Sequence, residues 1–212
     1  MAFDTVGVVD YGMGNLCSVC NALDMLGARV ELCGTPEQLD RVGRIVLPGV
    51  GAFRDCMANL RRIGFVEALD RAVRVRGVPI LGICLGMQAM ARKSWEGGEH
   101  DGLGWFDAEV ARIHPADLAL RVPQIGWNDL TACRPHPVFA GLPAAPDFYF
   151  VHSYAVQCAD RGEVLATCDY GGPITAAVGK ANIVGTQFHP EKSQDHGLTL
   201  LRNFLAWDPA GC

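Results

Sequence analysis

The first chemical signal is the run Ile80-Leu-Gly-Ile-Cys-Leu-Gly-Met-Gln88. An apolar strand pattern leads into Gly-x-Cys-x-Gly, and a helical pattern follows. This is the shape of a nucleophile elbow with cysteine in place of serine. The flanking glycines leave room for neighbouring elements. The N–H groups of the following helix favour a thiolate and can hold a developing oxyanion. The same run also fits a buried cysteine in a tight strand-to-helix turn. A cysteine nucleophile needs a base, and His189-Pro-Glu191 follows the apolar run ending at Phe188. Pro190 biases His189 toward extended backbone. Residues 189 and 191 then project to the same side, so Glu191 could orient the imidazole and stabilise its charge. Alone, His-Pro-Glu also reads as a surface turn. Pro48-Gly-Val-Gly51 closes a third apolar run, at the strand end where open α/β sheets bind ligands. Glycines on both sides of Val50 would let its peptide reorient, so that its N–H joins that of Leu85 in an oxyanion hole. The bland reading is a turn before a helix.

Together these segments resemble the class I (triad) glutamine amidotransferases, and within them the glutaminase subunits of imidazole-glycerol-phosphate synthases. The matching segments are Asp10-Tyr-Gly-Met-Gly-Asn15, Pro48–Gly51, Gly82–Gln88, Ile125-Gly-Trp-Asn128, Tyr149-Phe-Val-His-Ser-Tyr154 and Gln187-Phe-His-Pro-Glu-Lys-Ser193. The resemblance implies that Cys84 attacks a glutamine side-chain amide, His189 moves the protons and Glu191 orients His189. It implies an oxyanion hole from Val50 and Leu85, and a glutamine site formed by Gly49, Gly51, Gln88, Glu96 and His152. For His152, a hydrogen-bonded structural histidine is the competing reading. The resemblance further implies a heterodimer with a (β/α)₈-barrel cyclase subunit. Ammonia is channelled to that partner, which makes imidazole glycerol phosphate and aminoimidazole carboxamide ribotide in histidine biosynthesis. Asn15, Gln124, Trp127, Asn128 and Lys192 match segments that face it.

There are two departures. Gln124 stands where the family usually has histidine, and glutamine hydrogen-bonds but cannot become cationic. Ser94-Trp95-Glu96 replaces the family's Ser-Glu-Glu, so one of two carboxylates is lost. Two further readings stay open. Relatives that amidate surface-polysaccharide sugars with a cyclase-like partner share Asp10–Asn15 and Gly102-Leu-Gly-Trp105. A non-catalytic or regulatory relative on the same scaffold is the other, and the intact Cys84, His189 and Glu191 stand against it.

The elements needed to position these residues are legible. Strands are expected at Thr5–Asp10, Arg29–Cys33, Arg44–Leu47 and Val78–Ile83. Helices are expected at Asn15–Leu26, Ala52–Ile63, Phe65–Arg76 and from Cys84 to about Lys93. Such alternation implies parallel pairing with helices on both faces. The second half reads as strands at Trp105–Ile113, Gly126–Thr131, Phe148–Val156, Val164–Asp169, Thr175–Val178 and Ile183–Gln187, with a closing helix at Gly197–Ala206. The expected fold is α/β: an open, mostly parallel sheet with an antiparallel β extension, as one domain over residues 1–212.

The 212 residues are 50% hydrophobic and 19% charged, with net charge -5, a globular balance that argues against disorder. No basic tract is present, which disfavours a nucleic-acid partner. No apolar run approaches the roughly 20 residues of a membrane span. Asp4 and Asp10 in an N-terminus without a basic region argue against a signal peptide, so a cytoplasmic protein with its nine cysteines as free thiols is expected. Cys17-Ser-Val-Cys20 has metal-pair spacing without a second pair, and Cys17 breaks a dinucleotide fingerprint after Gly12-Met-Gly14. Neither metal nor cofactor is expected.

Overall fold

The runs 6–9, 44–49, 80–84 and 183–186 are buried at every position. Continuous rather than alternating burial is the mark of strands covered on both faces. In the computed structural model, which describes residues 5–211, they are strands β1 (Val6–Val9), β3 (Arg44–Gly49), β4 (Ile80–Cys84) and β13 (Ile183–Thr186). With β2 (Val30–Cys33) they form a parallel array in the order β2-β1-β3-β4-β13. The register pairs Gly49 with Cys84, so the two glycine-rich turns leave the sheet side by side. Met1–Asp4 and Cys212, the ninth cysteine, lie outside the described residues.

Helices cover both faces. Helices α1 (Leu16–Met25) and α5 (Gln194–Ala206) pack Val19, Leu23, Leu200 and Phe204 against Val6, Val8 and Val46. On the other face, α2 (Phe53–Ile63), α3 (Phe65–Asp70) and α4 (Leu85–Ala89) pack Phe53, Leu60, Phe65 and Leu85 against Val9, Ile45 and Leu47. Alternate residues of one strand thus feed opposite cores. Gly64, at φ 91, ends α2, and its N–H bonds back to Arg61 and Leu60, a left-handed cap that favours glycine.

The expected antiparallel extension is present, and individual elements differ from expectation in three places. The large sheet continues beyond β13 through antiparallel β12 (Pro173–Lys180), β11 (Val164–Asp169), β8 (Gln124–Cys133) and β9 (Asp147–His152). Parallel through its first five strands and antiparallel beyond them, it is the expected open α/β sheet with an antiparallel extension. First, the helix after Cys84 stops at Ala89, and Ala91–Ser94 forms β5. That strand pairs with β7 (Phe106–Arg112) and with β6 (His100–Asp101). Pairing with the strands that follow overrides a local helical pattern. Second, the single strand expected over Phe148–Val156 breaks at Ser153. Its first half is β9, in the large sheet. Its second half, β10 (Tyr154–Cys158), joins a four-stranded sheet ordered β10-β7-β5-β6. Third, the run expected as helix to Arg76 is α-helical to Asp70 and then a π turn over Arg71–Val75.

The elbow depends on glycine. A Cβ on Gly86 would lie 1.8 Å from the Leu47 carbonyl oxygen, and one on Gly82 would lie 2.8 Å from the Met87 nitrogen. Gly86→Ala should therefore lose at least about 3 kcal/mol in urea unfolding. Gly27→Ala, at φ +77 with open space around it, should lose only about 1–2 kcal/mol. Equal losses would mean that α4 does not press on β3 as described.

Candidate active site

Cys84 sits between β4 and α4 with φ 54 and ψ −107. A non-glycine residue in this region carries about 1–3 kcal/mol of strain and persists only where its surroundings over-determine it. Here they are the flanking glycines and the fully buried strand. Cys84 is 7% exposed and opens into a cavity of about 450 Å³, which is also lined by Val50, Gln88, Glu96, His152 and His189.

His189 reaches the cavity on the stretch after β13. Its backbone is held from two sides. Its N–H donates to the Tyr149 carbonyl at 2.9 Å. The Ser193 hydroxyl donates to its carbonyl at 2.6 Å and accepts from the Tyr149 N–H at 3.0 Å. Gly197 of α5 lets this turn pack closely, since a Cβ there would lie 1.9 Å from the Pro190 oxygen. The His189 Nδ1 is 2.7 Å from the Glu191 carboxylate, and both side chains are nearly inaccessible. The other ring nitrogen, Nε2, makes no hydrogen bond of ordinary length and is within electrostatic reach of Cys84. Burial works against charge on this ring. Hydrogen bonding and charge from Cys84 and Glu191 outweigh it and raise the His189 pKa to about 9. A buried histidine held protonated beside a cysteine and a carboxylate has the make-up of a nucleophile–base–acid triad.

The turn after β3 is fixed at both ends. The Tyr11 hydroxyl donates to the Pro48 carbonyl at 2.9 Å, and a Cβ on Gly49 would lie 2.6 Å from that hydroxyl and 2.9 Å from the Leu85 Cβ. Downstream, helix α2 has no side-chain cap of its own. Glu96 supplies one by accepting from the Phe53 N–H at 2.8 Å, which satisfies an otherwise orphaned helical donor. Val50 and Gly51, at φ +99, lie between these anchors, beside Cys84 and Leu85.

His152 is buried, with Nδ1 2.9 Å from the Tyr154 carbonyl. A carbonyl only accepts, so Nδ1 carries the proton. Burial, with a smaller contribution from His189, lowers the His152 pKa to about 4 against the Tyr154 hydrogen bond, and the ring is neutral. Gln88 donates to the Tyr154 carbonyl at 2.9 Å and to the Gln187 side-chain oxygen at 3.0 Å. Gln187 in turn donates to the Cys84 sulfur at 3.6 Å.

The structure therefore gathers Cys84, His189, Glu191, Val50, Gly51, Leu85, Gln88, Glu96 and His152 around one cavity or directly behind it, with Gly49 beneath. Lys192 lines the same cavity. Of the remaining predicted residues, Asn15 caps α1 by accepting from Ser18. Asn128 donates to the Asp169 carbonyl. Trp127 is 46% exposed and packs edge-on against Tyr149. Gln124 is not a surface residue. It is 2% exposed and lies directly across from His152 in the β8–β9 pairing, so it does not present its side chain to a partner. Sequence reasoning assigned no role to Tyr11, Gln187 or Ser193. All three lie in quoted motifs, but their partners are distant in sequence. Among the described residues, no three His, Cys, Asp or Glu side chains gather as metal ligands, and no helix is long and apolar enough to cross a membrane.

Residues 7–207 match the family model described as glutamine amidotransferase class-I. The chain is 46% identical over 214 residues to the imidazole glycerol phosphate synthase subunit HisH of Mesorhizobium japonicum, covering 96% of this chain and 99% of that one. It is also 46% identical to the HisH subunit of Brucella suis over the same shares. Among solved structures it is similar to a glutamine amidotransferase (TM-score 0.74, 24% identity, 98% and 99% of the two chains). It is also similar to a chain of the PurLQS structure from Thermotoga maritima (TM-score 0.75, 19% identity, 96% and 98%).

The buried pair has a measurable signature. His189 should stay protonated up to about pH 9, and in Glu191→Gln its imidazole NMR titration should move down toward the ordinary 6.5. Because the raised pKa belongs to the folded chain, the associated stability is full below pH 6.5 and is lost as pH rises through about 9. An unchanged titration in the variant would show that Glu191 does not hold the charge.

Proposed function

The chain belongs to the class-I glutamine amidotransferase family, and we propose that it is the glutaminase subunit of an imidazole glycerol phosphate synthase. The observation that carries the reading is the buried His189–Glu191 pair at 2.7 Å, facing a strained Cys84 whose neighbour in register is Gly49. The similarity to the HisH subunits narrows the family to this activity.

The geometry supports the following sequence of steps. The Cys84 thiolate attacks the side-chain amide carbon of L-glutamine. The carbonyl oxygen becomes an oxyanion against the N–H groups of Val50 and Leu85, the second at the start of α4. Protonated His189 gives its proton to the amide nitrogen, the C–N bond breaks, and ammonia leaves a γ-glutamyl thioester on Cys84. Neutral His189 then takes a proton from water as the water attacks the thioester, and collapse releases glutamate and the thiolate. Glu191 keeps the ring oriented and stabilises its charge in both halves. Glu96, with one oxygen committed to the Phe53 N–H, keeps the other for the ammonium end of the amino acid. No cofactor is needed for this sequence.

The ammonia is passed to a (β/α)₈-barrel cyclase subunit in a heterodimer. Ile125 and Trp127 point outward on β8, 63% and 46% exposed. Pro123, just before them, and Lys192 line the cavity, so an apolar patch adjoins the rim of the site. Asn15, Asn128 and Lys192 complete the proposed docking face. Gln124 acts from behind it, through β8 and His152.

Glutamate release measured on the purified chain, alone and with the cyclase subunit and its ribonucleotide ligand, tests this reading. Release should be weak alone and strongly stimulated by the liganded partner. Cys84→Ala should lower it by roughly a thousandfold or more. Cys84-dependent release with no response to the partner would move the assignment to another ammonia acceptor, with sugar amidation first. No release under any condition would remove the glutaminase reading.

A further inference from the structure

We propose that Gln187 is a hydrogen-bond donor to the Cys84 nucleophile, held in its donating orientation by Gln88. The inference deepens the glutaminase reading and rests on Cys84 being its nucleophile. Gln187 is fully buried, and its side-chain nitrogen lies 3.6 Å from the Cys84 sulfur. A glutamine amide has a donor end and an acceptor end, and only its surroundings decide which faces where. Here a single main-chain carbonyl decides. The Tyr154 oxygen can only accept, so the Gln88 end 2.9 Å from it is the NH₂. The second hydrogen of that NH₂ points at Gln187, at 3.0 Å, and requires oxygen there. The remaining end of Gln187, the one facing sulfur, is therefore NH₂. The order Tyr154 carbonyl, Gln88, Gln187, Cys84 runs in one direction, and reversing any amide in it leaves two like ends in contact.

A donor aimed at sulfur favours the anion over the neutral thiol. Sulfur is anionic twice in the proposed cycle: before it attacks the amide, and again as it leaves the thioester. One fixed donor serves both moments. The arrangement also limits Gln88. Both its amide hydrogens are committed within the protein, so it offers the substrate only its oxygen, an acceptor for a substrate N–H.

Iodoacetamide labelling of Cys84 in the full-length chain tests this without substrate, read by peptide mass spectrometry from neutral to alkaline pH. Gln187→Met keeps the bulk and drops the donor. Its labelling at neutral pH should fall about tenfold, the effect of about 1.4 kcal/mol on thiolate formation. The deficit should close at alkaline pH, where every thiol is ionised; a packing defect would give no such convergence. Gln88→Met touches no sulfur but frees the Gln187 amide to turn, and should give a smaller deficit of the same pH shape. Wild-type labelling across the pH range in Gln187→Met would overturn the proposal. If that variant does not fold, unchanged labelling in Gln88→Met would overturn it instead. The glutaminase reading fails separately, by absence of Cys84-dependent glutamate release in the wild-type chain.

Discussion

The approach of α4 to β3 at Gly86 is the contact on which the site depends. The Leu47 carbonyl occupies the space of a side chain at that position, so the helix starts closer to the sheet than any other residue would allow. That closeness leaves the chain no relaxed route from β4 into α4, and Cys84 is left at φ 54. It also places Leu85 against Gly49, so one steric fact brings together the nucleophile and both halves of the proposed oxyanion hole. Strain is tolerated here because β3 and β13, the strands on either side of β4 and, like it, buried over their whole length, fix where β4 ends.

Electrostatics determines what the remainder of the site does. Two histidines face the same cavity with opposite fates. His189 has a buried carboxylate at 2.7 Å and Cys84 on its other side, and is held charged. His152 has only a main-chain carbonyl, and burial keeps it neutral. Titratable groups whose environments push their pKa values apart mark out separate roles. In the proposed sequence of steps His189 moves protons, whereas His152 holds Tyr154, the carbonyl that also orients Gln88. This places both readings of His152 in one residue, since it lines the cavity and is a hydrogen-bonded structural histidine.

Much of this was legible in the sequence. The buried strands are unbroken apolar runs, the elbow has its glycines at the required spacing, and His-Pro-Glu places two side chains on one side by backbone geometry alone. What could not be read depends on partners outside the local pattern. Ala91–Ser94 is a strand because β7 and β6 lie beside it, and its own residues do not announce that. The break at Ser153 exists because two sheets meet there. Gln187 accepts from Gln88, 99 positions away, and Ser193 accepts from the Tyr149 strand. Gln124, matched to a partner-facing segment, is turned inward by the pleat of β8. A one-residue difference in facing is what separates it from Ile125, which is 63% exposed.

The cap that Glu96 places on α2 has a mechanical consequence. Gly49 is clamped under Tyr11 and Leu85, and Phe53 is tied to Glu96, so only Val50, Gly51 and Ala52 lie between two fixed posts. A span that short cannot swing as a flap. Its freedom is the rotation of a peptide plane in place, a crankshaft turn that moves one N–H through a large angle while the atoms on either side stay put. A turn of this kind would leave the outline of the molecule unaltered, so methods sensitive to molecular dimensions would pass over it.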